Sequence, residues 1–238
     1  MSINLKVIAV ALLAGTALAA VTPAHASVSL VTTRAGLGGN DYVDWGALGA
    51  PIQNIFTNPF SINSNGGLSV SVSEGLGDNM QTRQQGASWF WNFANGDNLL
   101  WTQNYLSTSN DPIRLSGFGG KFLLGGGAQV TLGGSQGAFT VKLEAFDASN
   151  NSLGSVTENG NSSPSGTAIF IGLLSDTAFS KLEFSLTSAP GGTLGDYAIN
   201  RVSFLTAVPE PTTLALFGAG LAGIGLTRRR KIRNNEAR

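Results

Sequence analysis

The sequence predicts an all-β protein, a single jelly-roll-like β-sandwich, and three observations carry the prediction. Apolar and polar residues alternate with period two. Phe139, Val141, Leu143 and Ala145 alternate with Thr140, Lys142 and Glu144; Leu182, Phe184 and Leu186 with Lys181, Glu183 and Ser185; Leu68, Val70 and Val72 with serines. Clusters of Gly, Asn and Ser punctuate these runs at Asn65-Gly66-Gly67, Gly125-Gly126-Gly127, Gly133-Gly134, Asn150-Asn151 and Gly191-Gly192, as turns do between short strands. No stretch between Ser27 and Ala207 sustains a helical apolar period over several turns.

Taken in order, the chain opens with Lys6, an uncharged apolar stretch from Val7 to Val21, and then Ala24-His25-Ala26, an A-x-A site. That order is a secretory signal peptide, so signal peptidase is expected to remove residues 1–26 and leave Ser27 first. Residues 27–207 form the expected extracellular domain, long enough to bury about 70% of its unfolded surface as one unit. The domain holds seven cations (Arg34, Arg83, Arg114, Lys121, Lys142, Lys181, Arg201) against twelve Asp and Glu, a net of −5. The whole chain balances 14 against 14 only because its last residues are basic. An acidic domain with scattered cations lacks the phosphate-neutralising stripe that a nucleic-acid partner needs. Within it, Ala168-Ile169-Phe170-Ile171 reads as a fully buried strand. Residues 88–94, SWFWNFA, read as a strand with Trp89, Trp91 and Phe93 on one face.

The residue inventory excludes several chemistries. Cysteine is absent, so there are no disulfides, thiolate nucleophiles or Cys-type zinc sites. The one histidine, His25, leaves with the signal peptide, which removes Ser-His-Asp and Cys-His catalysis from the mature chain. A hydrolase would have to use paired carboxylates flanking a cleft. Glu144 and Glu183 lie on the polar faces of their strands and read as solvated charges. Calcium is the metal that the remaining oxygen ligands allow, with Asp97 in Asn95-Gly96-Asp97-Asn98 and Asp147 near Asn150 as loop sources beside Gly77-Asp78-Asn79. The competing reading of such loops is turns that cap their own backbone. Trp89, Trp91, Trp101 and Tyr105 crowd a short segment rich in Asn and Gln. Flat rings beside amide groups suit stacking on sugar rings, and the alternative is that the rings are core.

The C-terminal end carries Val208-Pro209-Glu210-Pro211, an uncharged Gly/Ala/Leu run from Thr212 to Thr227, and Arg228-Arg229-Arg230-Lys231. Gly218, Gly220 and Gly223 satisfy G-x-G-x-x-G, but a Pro-Glu-Pro turn stands where a dinucleotide fold needs a strand. The run instead reads as a marginal transmembrane helix, slightly short of about 20 residues, with its basic end cytoplasmic. Together the three parts of residues 208–238 resemble the PEP-CTERM sorting signal of Gram-negative bacteria. The resemblance implies a membrane-embedded exosortase that recognises Pro209-Glu210-Pro211, transient anchoring in the inner membrane, and release at the cell surface or outside it. It also implies bacteria that make exopolysaccharide and biofilm matrix. Asp44-Trp45, AFDASNNSLGSV, FIGLLSD and DYAINRVSF are similar to extracellular domains that accompany this signal. Jelly-roll sugar-binding modules that the body resembles place an Asp near a calcium ion in their last strand, where this chain has Asn200.

The expectation is therefore an exported matrix protein, not an enzyme, structural or weakly binding an extracellular polysaccharide. The alternatives are a secreted carbohydrate-active enzyme with paired carboxylates and a calcium-stabilised adhesin.

Overall fold

A computed structural model describes residues 26–49, 51–55, 57–76, 79–105 and 107–207. The chain divides into a unit of Met1–Thr206 and a unit of Ala207–Arg238, and every described strand lies in the first. The predicted apolar stretch of the signal peptide with Ala24, the sorting residues Pro209, Glu210, Pro211, Arg228, Arg229 and Arg230, and the apolar run between them lie outside the described residues. So does Asp78. Among the described residues, no helix is long and apolar enough to cross a membrane.

The described chain is all-β, in two antiparallel sheets. The first contains β1 (Val28–Val31), β2 (Asp41–Val43), β3 (Gln53–Ile55), β6 (Met80–Gln84), β7 (Asn98–Trp101), β9 (Leu123–Leu132), β12 (Ile169–Phe179), β14 (Tyr197–Ile199) and β15 (Val202–Thr206). The second runs in the order β11 (Ser152–Ser162), β10 (Gly137–Phe146), β13 (Lys181–Ser188), β8 (Ile113–Ser116), β5 (Ser69–Glu74) and β4 (Phe60–Asn63). A single helical turn, α1 (Arg34–Leu37), is capped by Thr33, whose hydroxyl accepts from Gly36 N.

Period-two patterning decides which side chains go in. Phe139, Val141, Leu143 and Ala145 of β10, and Leu182, Phe184 and Leu186 of β13, are buried as the alternation requires. They share one core with Val130, Leu132, Ile171, Leu173, Tyr197 and Ile199 of the first sheet. Each large apolar side chain there contributes about 1.5–3 kcal/mol by leaving water. Glu144 and Glu183 do face outward, but each is paired, with Lys142 at 2.7 Å and with Arg114 at 2.6 Å across the β13–β8 ladder.

Gly125-Gly126-Gly127 is not a turn, as its glycines suggested, but the middle of β9, hydrogen-bonded to β12 on one edge and β15 on the other. A Cβ on Gly127 would stand 2.6 Å from both Gly172 Cα and Ile171 O. Bare backbone is what lets β12 approach there.

On its second edge β9 meets two strands in succession. Val130–Leu132 pair with β14, and Gly125–Gly127 pair with β15. Between them the ladder is patched by Asn200, whose backbone N–H donates to Gln129 O at 3.1 Å while its Oδ1 accepts from Gln129 N at 3.0 Å. At this fork the sheet divides, β14 continuing to β7 and β15 to β2.

Tyr197 ties the two sheets together. Its ring is fully buried, its hydroxyl donates to Phe184 O of β13 at 2.7 Å, and it accepts from Ile113 N of β8 at 2.8 Å. Burial pushes the phenol pKa well above its ordinary value, so the donor stays protonated. Tyr197→Phe keeps the ring but leaves a buried N–H and C=O without their partner. It should cost about 1–3 kcal/mol, read as a lower urea midpoint at unchanged m for the full-length chain. A loss below about 0.5 kcal/mol would show that the phenol is not the tie between the sheets.

Candidate functional site

Two of the cavities among the described residues lie against the first sheet. They share one loop, residues 85–97, between β6 and β7. The segment 88–94 is not the strand that its alternation suggested. Asn92 adopts a positive φ of 70°, which interrupts any ladder, and the loop is pinned through that residue. Asn92 Nδ2 donates to Thr131 Oγ1 at 2.6 Å, and Asn92 O accepts from Ala168 N at 2.7 Å. Under the loop lies a second small core of Trp89, Phe93, Leu99, Ala168 and Ala198, with Trp101 against it.

The aromatic cavity, about 200 Å³, is lined by Ser88, Trp89, Phe90, Trp91 and Gly133. The rings in and around it differ sharply in access. Trp89 is 7% exposed, edge-on to Trp101 at 6.0 Å and to Phe93 at 6.4 Å, and its Nε1 donates to Trp91 O. Trp91 is half-buried, while Phe90 is 68% exposed and Tyr105 is 61% exposed. Trp101 is half-buried with the Arg83 guanidinium over its ring at 4.8 Å. Its Nε1 donates to Asp196 Oδ1 at 2.7 Å, and Gly134 N donates to Asp196 Oδ2 at 2.7 Å. Gly134 is a glycine because the Tyr105 ring lies on it: a Cβ would stand 2.0 Å from Tyr105 Cε2. Phe90 was invisible to sequence reasoning, since alternation placed it on the face opposite the tryptophans.

The polar cavity, about 240 Å³, is lined by Arg34, Asp44, Ala94, Gly96, Asp97, Asn98, Gln129, Asn200 and Arg201. The fork builds it. Arg34, at the start of α1, donates to Arg201 O at 2.8 Å, Ser203 Oγ at 2.6 Å and Asn200 Oδ1 at 2.9 Å. Burial first, and then the neighbouring Arg201, lower its pKa to about 10 against the opposing pull of Asp97. Asp44 caps the turn that begins at the buried Trp45, its Oδ1 accepting from Gly46 N at 2.8 Å and Asn98 Nδ2 at 3.0 Å. Asp97 Oδ2 accepts from Asn200 Nδ2 at 3.0 Å. Of these lining residues, Asp44, the Gly96-Asp97-Asn98 loop and Asn200 drew attention in sequence, Asn200 because it stands where an acid was looked for. Arg34 and Arg201 lie far apart in the chain with no local pattern to mark them.

The two calcium candidates are not brought together. Asp97 lies in the loop before β7, whereas Asp147 sits in the β10–β11 hairpin as a turn cap. Asp147 Oδ1 accepts from Ser149 N and Asn151 N, both at 2.8 Å, and Oδ2 from Asn151 Nδ2 at 2.9 Å. Those bonds hold the Asp147 carboxyl below its usual range. Among the described residues, no group of three or more His, Cys, Asp or Glu could hold a metal ion. Two guanidinium groups beside Asp44 and Asp97 also oppose a divalent cation in the polar cavity, so these residues do not fit a calcium cage.

Residues 207–231 match the PEP-CTERM protein-sorting motif, the mark of an exported chain that an exosortase processes and the membrane holds transiently. No curated protein matches the chain. Among solved structures it is similar to a DUF4465 family protein from Bacteroides caccae, with 11% identity and a TM-score of 0.30, over 75% of this chain and 99% of that one. It is also similar to the enzymatically active domain of bacteriophage CBA120 tailspike protein 4, with 11% identity and a TM-score of 0.27, over 77% of this chain. The likeness spans 20% of the tailspike chain.

Burial raises the Asp196 pKa, and the bonds from Trp101 and Gly134 only partly offset it. The folded state therefore holds this proton more tightly than the unfolded state does. Its contribution to stability is fully present below the ordinary Asp range, about pH 4, and is lost as pH rises through the raised folded value. Asp196→Asn should flatten that part of the stability–pH profile, followed through Trp fluorescence in urea titrations. An unchanged slope would place the proton elsewhere.

Proposed function

We propose that residues 27–207 form a jelly-roll-like β-sandwich that acts outside the cell, without catalysis, as a component of an extracellular polysaccharide matrix that binds glycan weakly. Export and exosortase sorting follow from the motif at 207–231. The single observation that supports glycan binding is the aromatic cavity, lined by the exposed Phe90 and the half-buried Trp91, with the exposed Tyr105 on Gly134 next to the cavity's Gly133. Phe90 and Trp91 stand on a loop anchored by its own small core, which lowers the ordering cost when a sugar face stacks on them.

Trp89 supports the platform from beneath, and Trp101 is held in place by Asp196, Arg83 and the Trp89 edge. The binding rings are thus Phe90, Trp91 and Tyr105, set on a base of Trp89 and Trp101. The hydrolytic alternative has less support. A glycosidase needs an acid and a carboxylate free to flank the scissile bond. Asp44 is committed through Oδ1 to its own turn and to Asn98.

Two measurements check this reading. In a pull-down of the full-length chain with insoluble exopolysaccharide, Trp91→Ala and Tyr105→Ala should each weaken binding about tenfold, or about 1.4 kcal/mol, with the thermal midpoint unchanged. Retained binding in both variants would rule the platform out. Intact-mass analysis of protein released by the native host should show both termini removed, with Ser27 first and the basic tail lost. Released protein that retains Arg238 would contradict processing at the sorting motif.

A further inference from the structure

Building on the glycan reading above, we infer that the bound polysaccharide is acidic, and that the cavity between Arg34 and Arg201 receives a sugar carboxylate while neighbouring rings stack on the aromatic platform. Two observations carry this, the state of the arginines and the placement of the two cavities.

Arg34 and Arg201 line one cavity and lack a carboxylate partner. The ion pairs among the described residues are Arg114–Glu183 and Lys142–Glu144, both on the second sheet. Arg34 spends its bonds on neutral acceptors, and its guanidinium lies over Phe170 at 5.3 Å. Arg201 lies over Tyr42 at 4.6 Å and donates no side-chain hydrogen bond to any described group. Both guanidinium groups lie over aromatic rings, and no described group accepts a hydrogen bond from the Arg201 side chain. An anion between two such groups gains charge-assisted, bidentate hydrogen bonds and relieves their mutual repulsion. Asp44 and Asp97 share the cavity, yet their bonds go to Gly46, Asn98 and Asn200. Their remaining oxygens accept nothing from described groups and suit hydroxyl donors. Fixed cationic donors beside open carboxylate acceptors match a ring that bears both an acid and hydroxyls.

The placement extends the site from one sugar to a chain. Gln129 lines the polar cavity, Thr131 anchors the shared loop and Gly133 lines the aromatic cavity. Gln129 and Thr131 alternate along β9 with the inward Ala128, Val130 and Leu132, and Gly133 follows directly after the strand. Gln129 and Gly133, one lining each cavity, lie four positions apart, roughly 13 Å along extended chain, a spacing that a short oligosaccharide covers. The net charge of −5 between Ser27 and Ala207 means that general attraction does not draw an acidic polymer in. Recognition rests on a few local contacts, so its salt dependence should be shallow.

The test is calorimetry of the full-length chain with oligogalacturonate and with its carboxyl-reduced neutral counterpart, using wild type, Arg201→Gln, Arg201→Lys and Trp91→Ala. Thermal midpoints serve as the folding check. The acidic probe should bind about tenfold more tightly or better than the neutral one. Arg201→Gln should erase the difference, Arg201→Lys should keep part of it, and Trp91→Ala should weaken both probes. Equal binding of the two probes, untouched by Arg201→Gln, would overturn the inference and leave the aromatic reading standing. A preference that depends on Arg201 but ignores Trp91→Ala would support the acid site and overturn the platform. Binding of neither probe would overturn both.

Discussion

One buried phenol ties the two sheets at a fixed point in their shared core. Apolar faces attract without direction, and a pair of sheets held by them alone keeps freedom to slide. The chain has no disulfide to remove that freedom. The Tyr197 hydroxyl removes it by bonding backbone groups on β8 and β13 from a ring rooted in β14. Backbone partners cannot change rotamer, so the bond fixes position as well as distance. At the other end of the same hairpin-like segment, the buried Trp45 indole donates to Asn200 O at 2.9 Å. Between those two anchors lies the fork where β14 gives way to β15.

Because the fork is fixed from the core side, its other side can be spent on function. Asn200 illustrates the division. Its backbone and Oδ1 mend the ladder with Gln129, while its Nδ2 donates to Gln129 Oε1 at 2.7 Å and to Asp97 Oδ2 at 3.0 Å. One amide thus serves strand geometry and cavity lining together. The loop above it is ordered in the same economical way, with Asn92 inside as the polar anchor and Trp89 and Phe93 as its apolar ballast. What that packing leaves uncovered near the loop are the Phe90 and Tyr105 rings.

Strands such as β10 and β13 were legible in the sequence because one face of each is buried and the other is wet, which writes the period into the residues. β9 was not, since a strand paired on both edges and bare of side chains reads as a glycine turn. The segment around Trp89 was misread for the opposite reason. Its alternation was real, but the positive φ of Asn92 and that residue's hydrogen bonds override it. The aromatic cluster could be found because its members are neighbours in sequence. The polar cavity could not, because Arg34, Asp97, Gln129 and Arg201 meet only through the fork, and no local pattern encodes a meeting of that kind.

The position of β15 bears on what happens under load. The strand ends at Thr206, where the sorting segment begins, and it is flanked by β2 on one side and β9 on the other. Tension transmitted from a membrane-held C-terminus during export therefore enters an interior strand rather than an edge. To peel it away, both ladders must yield, and with them the Asn40 side chain, which bonds the Thr206 amide and hydroxyl. The domain therefore meets a pull from its tail at a strand braced on both edges rather than at a free one.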